Sequence, residues 1–117
     1  MTVTLPYKKN LTIYKGASFQ HRFLWVTPDE VPVNLTGYSA RMQIREDYDS
    51  PVTLELTTEN NRLVVGNKNG NVDLLVTASE TTALTIDNGI YDLELVNGEE
   101  VIKLALGKVK IVPEVTR

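Results

Sequence analysis

Residues 38–45, YSARMQIR, alternate strictly: Tyr38, Ala40, Met42 and Ile44 are less polar than the Ser39, Arg41, Gln43 and Arg45 between them. Successive side chains of an extended strand point to opposite faces, so a period of two buries one set and solvates the other. A helix would spread the same residues around its axis. The stretch therefore predicts a half-buried strand, and such a strand needs a second layer to cover its apolar face.

The same period recurs along the chain. In 17–27, ASFQHRFLWVT, it places Phe19, His21, Phe23 and Trp25 on one face and Gln20 and Arg22 on the other, with Leu24 and Val26 making the later part apolar on both sides. VTLELT (52–57) places Val52, Leu54 and Leu56 inside. RLVVG (62–66) and NVDLLVT (71–77) flank Asn69-Gly70, and IYDLELV (90–96) is joined to VIKLALGKVKIV (101–112) by Asn97-Gly98. Asn-Gly pairs supply the positive φ angles of tight hairpin turns. Gly107, inside the last run, predicts a bulge or a bend that changes sheets. Only 77–86, TASETTALTI, breaks the scheme, and Thr77 followed by Glu80 fits a capping box at one short helical turn. Short strands at regular spacing read as a β-sandwich or barrel. The expected architecture is an all-β sandwich, Ig-like or jelly-roll-like, of about eight antiparallel strands. Residues 1–10 are expected to form an N-terminal arm and 11–117 a single sandwich domain.

Composition sets the outer limits. A chain of 117 residues forms one domain and buries about two-thirds of its unfolded surface. It has no apolar run long enough to span a bilayer, and its first residues lack the apolar core of a secretory signal. It contains no cysteine, which excludes disulfides and thiolate metal sites and is compatible with a reducing cytoplasm. The net charge is −3 with scattered basic residues, which argues against a nucleic-acid surface. The expectation is no membrane, no nucleic acid and no small-molecule substrate.

Chemistry-bearing residues are sparse. His21, the only histidine, alternates with three aromatics and reads as a packed or rim-lying structural residue rather than a general base. Asn67, Asn69, Asn71 and Asp73 alternate around Gly70 with a faint likeness to a calcium loop, but three neutral amides and one acid, without a distal glutamate, fit a plain hairpin better. The acidic groups Asp29-Glu30, Glu46-Asp47-Asp49 and Glu99-Glu100 sit beside turn residues and read as solvated loop tips. Two Asn-x-Thr sequons, at Asn10 and Asn34, read as chance without a signal peptide. No phosphate-cradling loop, zinc spacing or nucleophile elbow occurs. The expectation is a non-enzymatic protein with no catalytic residue, no cofactor and no metal.

The order LTIYKGASFQHRFLW, VNLTGYSARMQIR, LELTTEN, YDLELVNG and GKVKIVPEVTR resembles a family of small bacteriophage and prophage virion proteins. LTGYSARMQIR and GKVKIVPEVTR are its most specific parts, and the matches span nearly the whole chain from residue 11. IYKG and the strand pattern are also similar to the N-terminal domain of phage baseplate upper proteins. The resemblance implies a structural component of a tail, baseplate or fibre-attachment region, present on the virion and assembled in the host cytoplasm. Its implied partners are other virion proteins and further copies of itself. Baseplate upper proteins continue into helical and receptor-binding parts, whereas this chain ends at Arg117, so a capsid decoration, collar or plug position stays open beside the adaptor one. The segment TVTLPYKKN would add a strand to a neighbour, with Val3, Leu5 and Tyr7 filling pockets on it. A carbohydrate-binding sandwich is the alternative of another class, with Tyr7, Tyr14 and Tyr48 as its candidate stacking residues.

Overall fold

The period-two segments become strands in two sheets that share one core. The computed structural model describes residues 5–116. In chain order the strands are β1 (Tyr7–Lys8), β2 (Leu11–Tyr14), β3 (Phe19–Leu24), β4 (Ser39–Arg45), β5 (Val52–Thr57), β6 (Leu63–Val65), β7 (Asn71–Val76), β8 (Asn88–Asn97) and β9 (Glu100–Val112). The larger sheet runs β1-β9-β8-β4-β5, with β2 following β1 along the same edge of β9. The smaller sheet is β3-β7-β6. The inward residues of both sheets meet in one cluster: Ile13, Met42, Ile44 and Leu93 from the first, Phe23, Leu63, Val72 and Leu74 from the second. The architecture is therefore the expected sandwich, not a closed barrel.

The helical turn α1 (Ala78–Thr82) lies between the last strand of the small sheet and β8. Thr77 caps it: its hydroxyl accepts from the Glu80 N–H at 3.2 Å while the Glu80 carboxylate accepts from the Thr77 N–H at 3.0 Å. Thr81, fully buried, ties this turn to the start of β3. Its hydroxyl accepts from the Gly16 N–H at 3.1 Å and donates to the Ala17 carbonyl at 2.9 Å.

Several expectations need correction. The strands are not all antiparallel, because β1 and β2 pair parallel to β9, Tyr7 opposite Ala105 and Leu11 opposite Val109. Alternation reports which face a side chain takes and says nothing about strand direction. The sheet thus begins inside the segment expected as an arm. Asn69-Gly70 is not a two-residue hairpin: Asn67–Asn69 form a 3-10 turn closed by Gly70 at φ 71. Asn97-Gly98 does make a tight turn, but only Gly98 has positive φ (60), and Asn97 pairs with Glu100 around Gly98 and Glu99. Val52 faces outward and is 39% exposed, because a register shift beside Arg45 sets it opposite that outward side chain. Leu24, at the end of β3, is also exposed.

Gly107 has a different role from the one expected. The bulge in β9 lies earlier, where Glu94 pairs with Lys103 but Leu93 pairs with Ala105, so Leu104 and Ala105 both point inward. Gly107 stays in the sheet opposite Tyr91. The chain between β1 and β2 crosses it so closely that a Cβ there would lie 2.1 Å from the Lys9 carbonyl oxygen. That oxygen accepts from the Tyr91 hydroxyl at 2.6 Å, and the Asn10 side-chain oxygen accepts from the Lys108 N–H at 3.0 Å. Burial pushes the Tyr91 hydroxyl pKa up to about 12, so it remains a donor across the physiological range.

Gly107→Ala should therefore lose about 1–3 kcal/mol through overpacking against the Lys9 backbone. Tyr91→Phe should lose about 1 kcal/mol with its hydrogen bond. Gly98→Ala meets open space and should lose only about 1 kcal/mol, from φ alone. Urea denaturation gives the magnitudes. Hydrogen exchange should quicken over residues 7–14 in the first two variants and stay unchanged there in the third.

Candidate functional site

The expected contact residues of the N-terminal segment divide. Val3 lies outside the described residues. Leu5 and Tyr7 are half-buried against the chain's own core, with Tyr7 paired to β9. Their side chains therefore serve this sandwich, and only the outer edge of β1 and β2 faces away from it.

His21 sits on β3 opposite Leu74, half-buried, with its ring centroid 4.6 Å from that of Phe23 in an edge-on contact. Burial lowers its pKa, and the Lys9 cation lowers it further. Among the described residues no carboxylate or hydroxyl hydrogen-bonds to its ring. The arrangement is that of a neutral packing residue at the rim of the core. In the loop compared with a calcium site, Asp73 instead binds Arg22 through both oxygens, at 2.7 and 2.9 Å, and accepts from Asn71 at 3.1 Å. The Arg22 bond is the chief cause that holds the Asp73 carboxyl below its ordinary pKa. Among the described residues no three His, Asp or Glu side chains converge as a metal site, and no helix is long and apolar enough to cross a membrane.

The aromatics offered for carbohydrate stacking do not form a platform. Tyr7 and Trp25 pack on the core. Tyr14 (60% exposed) ends β2 opposite Val112, while Tyr48 (88% exposed) stands on the β4–β5 loop.

The outward face of the larger sheet is where polar chemistry gathers. Antiparallel register sets Arg41 beside Glu94 and Gln43 beside Asp92, with Glu55 next along on β5. Arg41 binds Glu94 at 2.8 Å, Gln43 donates to Glu55 at 3.0 Å, and Lys103 reaches Asp92 at 2.8 Å and Glu94 at 3.6 Å. The Asp92 bond is the main reason the Lys103 pKa is raised. In this half both cations are paired with carboxylates, and Glu55 is held by the neutral Gln43 amide. Exposed pairs of this kind contribute little stability each, roughly 0–1 kcal/mol.

Towards β1 the face changes character and becomes a groove of about 490 Å³. Four cations line it, Lys8, Arg45, Lys103 and Lys108, against the single acid Asp92. Its floor is apolar where Ile90 and Leu106 lie, and Tyr48 stands at its side. Among the described residues neither Lys8 nor Lys108 has an acidic partner within ion-pair distance. Residues from β1, β4, β8, β9 and two connecting segments meet here, so no local motif announced the groove. One signal was present in the sequence. Lys103 is at an odd position and Lys108 and Lys110 are at even ones, so all three can face solvent from one strand only if a bulge intervenes.

No family model and no curated protein matches the sequence. Among solved structures, a VGSC beta subunit, solved in a study of its multimeric cell-adhesive interactions, is similar over 96% of this chain and 98% of its own, with 9% identity and a TM-score of 0.52. Extracellular domains 3–5 of Drosophila OTK align with 97% of this chain and 35% of that one, at 18% identity and a TM-score of 0.42. The likeness is one of fold. Strands β3, β7 and β6 stand where an immunoglobulin-type sandwich has B, E and D, and β9, β8 and β4 where it has G, F and C, with β5 as an added C′. The Ig-like form of the expected sandwich is the one adopted.

Two tests follow from this placement. In the folded chain His21 favours the neutral form, whereas in the unfolded chain it titrates near 6.5. Its contribution is fully present above 6.5 and is lost as pH falls through 6.5 towards the lower folded value. The urea midpoint should drop over that window in the wild type and stay flat there in His21→Gln. A second fall, present in both, should come below the ordinary Asp value of 3.8 as Asp73 is protonated. Trp25→Ala should lose about 3 kcal/mol, the low end for a large aromatic because the ring is only half-buried. A neutral result in denaturation would place the indole outside the packing.

Proposed function

We propose that this chain is a non-enzymatic structural component of a bacteriophage virion, in a tail, baseplate or fibre-attachment region, acting through protein–protein assembly. The observation that carries the reading is the near-full-length resemblance to phage virion proteins, above all in LTGYSARMQIR and GKVKIVPEVTR. LTGYSARMQIR covers β4 and GKVKIVPEVTR the second half of β9, and both strands belong to the sheet that carries the groove. A sheet face with unpaired cations around an apolar floor suits contact with another protein surface. Capsid decoration and a collar position are alternative places for the same kind of component.

Mass spectrometry and immuno-electron microscopy of purified particles test the proposal. The chain should be present in stoichiometric amounts at one location, and that location separates tail from collar and capsid. Absence from intact particles would end the virion reading. Saturable glycan-array binding that Tyr48→Ala abolishes would favour the carbohydrate-binding class instead.

A further inference from the structure

At the end of the sandwich away from the groove, one loop projects as a small hairpin. Val26 and Pro32 form an isolated bridge, the Thr27 N–H donates to the Val31 carbonyl at 2.8 Å, and the Glu30 N–H donates to the Thr27 carbonyl at 2.9 Å. Glu30 adopts φ 63, which completes the reversal. All four tip residues, 28–31, are exposed, with Val31 at 56%. Neither Asp29 nor Glu30 forms an ion pair among the described residues. The tip is a narrow peg with two free acids beside an apolar side chain.

We propose that the 26–32 hairpin tip of one copy seats in the basic groove of a second copy. This deepens the assembly reading and rests on it. Asp29 and Glu30 supply the anions that Lys8 and Lys108 lack, and Val31 supplies an apolar group for the floor at Ile90 and Leu106. The groove has four cations to one acid, within a chain whose net charge is −3. Its basic character is thus local, and the acids that balance it lie elsewhere on the surface. Of the acids on the loop beside Tyr48, Asp47 is held in its own loop by the Asp49 N–H and the Ser50 hydroxyl, each at 3.0 Å.

The two features occupy opposite ends of the strands. Trp25, beside the peg, donates to the Gly70 carbonyl, and Val33, after it, donates to Trp25. Leu35 then binds Asn67, and Ser39 starts β4 opposite Val96. Arg45, in the groove, ends β4 opposite Ile90. The length of β4 alone sets these levels about 20 Å apart. No copy can fill its own groove with its own peg. Each copy offers one peg and one groove, a head-to-tail contact that closes into a ring or continues as a stack.

Charge reversal in the full-length chain tests this by sedimentation velocity. The wild type should self-associate at low ionic strength and weaken at least about tenfold when salt rises from about 0.05 to about 0.5 M. Asp29→Lys/Glu30→Lys and Lys8→Glu/Lys108→Glu, each checked for unchanged thermal unfolding, should each weaken association by a similar factor. An equimolar mixture of the two variants, or all four changes in one chain, should restore it. A wild type that stays monomeric at low salt, reversals without effect, or a mixture that fails to recover would each overturn the proposal. If the groove variant alone drops out of particles while the peg variant is incorporated, the occupant is an acidic virion partner and not a second copy. In each of those cases the virion reading stands as long as the chain is found in particles, so the two failures are told apart.

Discussion

The Lys9 carbonyl, held by the Tyr91 hydroxyl above a glycine, is the joint on which the large sheet depends. The first strand segments run parallel to the last, a pairing that joins the two ends of the chain and has no tight turn to impose it. Its register must come from contacts specific to one position. Gly107 provides the gap, Tyr91 the donor, and Asn10 a side-chain oxygen in place of a backbone acceptor for Lys108. With this joint set, Tyr7, Leu11 and Ile13 all fall on the inner side of the sheet, where they close the core. The same joint fixes Lys8 and Asn10 beside Lys108, so it also shapes one wall of the groove.

The core has to hold two sheets together without a covalent link, since the chain has no cysteine. Packing supplies that link. Phe23 on β3 and Leu93 on β8, on the strands that a disulfide bridges in antibody domains, both lie in the apolar cluster. Polar groups near this core are accommodated without penalty. Among the described residues no buried side-chain nitrogen or oxygen lacks a hydrogen-bond partner, and the fully buried Thr81 satisfies both the turn before β3 and its own helical turn. Burial of several large aliphatics at about 1.5–3 kcal/mol each is the force that favours the sandwich over separate sheets.

Much of the fold was legible in the sequence because a period of two is a direct print of burial. YSARMQIR folds as read, with Ala40, Met42 and Ile44 buried and Arg41 exposed. The capping box at Thr77 and Glu80 is equally local and was equally legible. What escaped was non-local. Strand direction, the β4–β5 shift that turned Val52 outward and the true place of the β9 bulge are set by partner strands, and a single strand's pattern does not name its partner. The candidate site escaped for the same reason, since positions 8, 45, 90 and 108 meet only after four strands have found their register. His21 was legible as a packing residue from its aromatic neighbours alone, whereas its depressed pKa required the fold to bury the ring and to bring Lys9 near.

The two halves of the outer face differ in a way that bears on recognition. In the half centred on Arg41 and Glu94, both cations, Arg41 and Lys103, already have carboxylate partners within the sheet. An incoming group there must displace an existing bond, so the exchange yields little net attraction. Along β1 and the second half of β9, Lys8 and Lys108 have no such partner among the described residues, and a new anion meets them without competition. The bulge at Leu104 sets which β9 side chains face outward in each half. Before it, the outward lysine at 103 stands opposite Glu94; after it, the outward set shifts parity, so that Leu106 stands opposite Asp92 and Lys108 opposite Ile90. A single inserted residue thus turns Lys108 to the outward face, opposite the apolar Ile90 and beyond the acids of β8. The two halves therefore differ in what an anion would meet: around Arg41 and Lys103 the cations already have carboxylate partners, whereas at Lys8 and Lys108 none competes among the described residues.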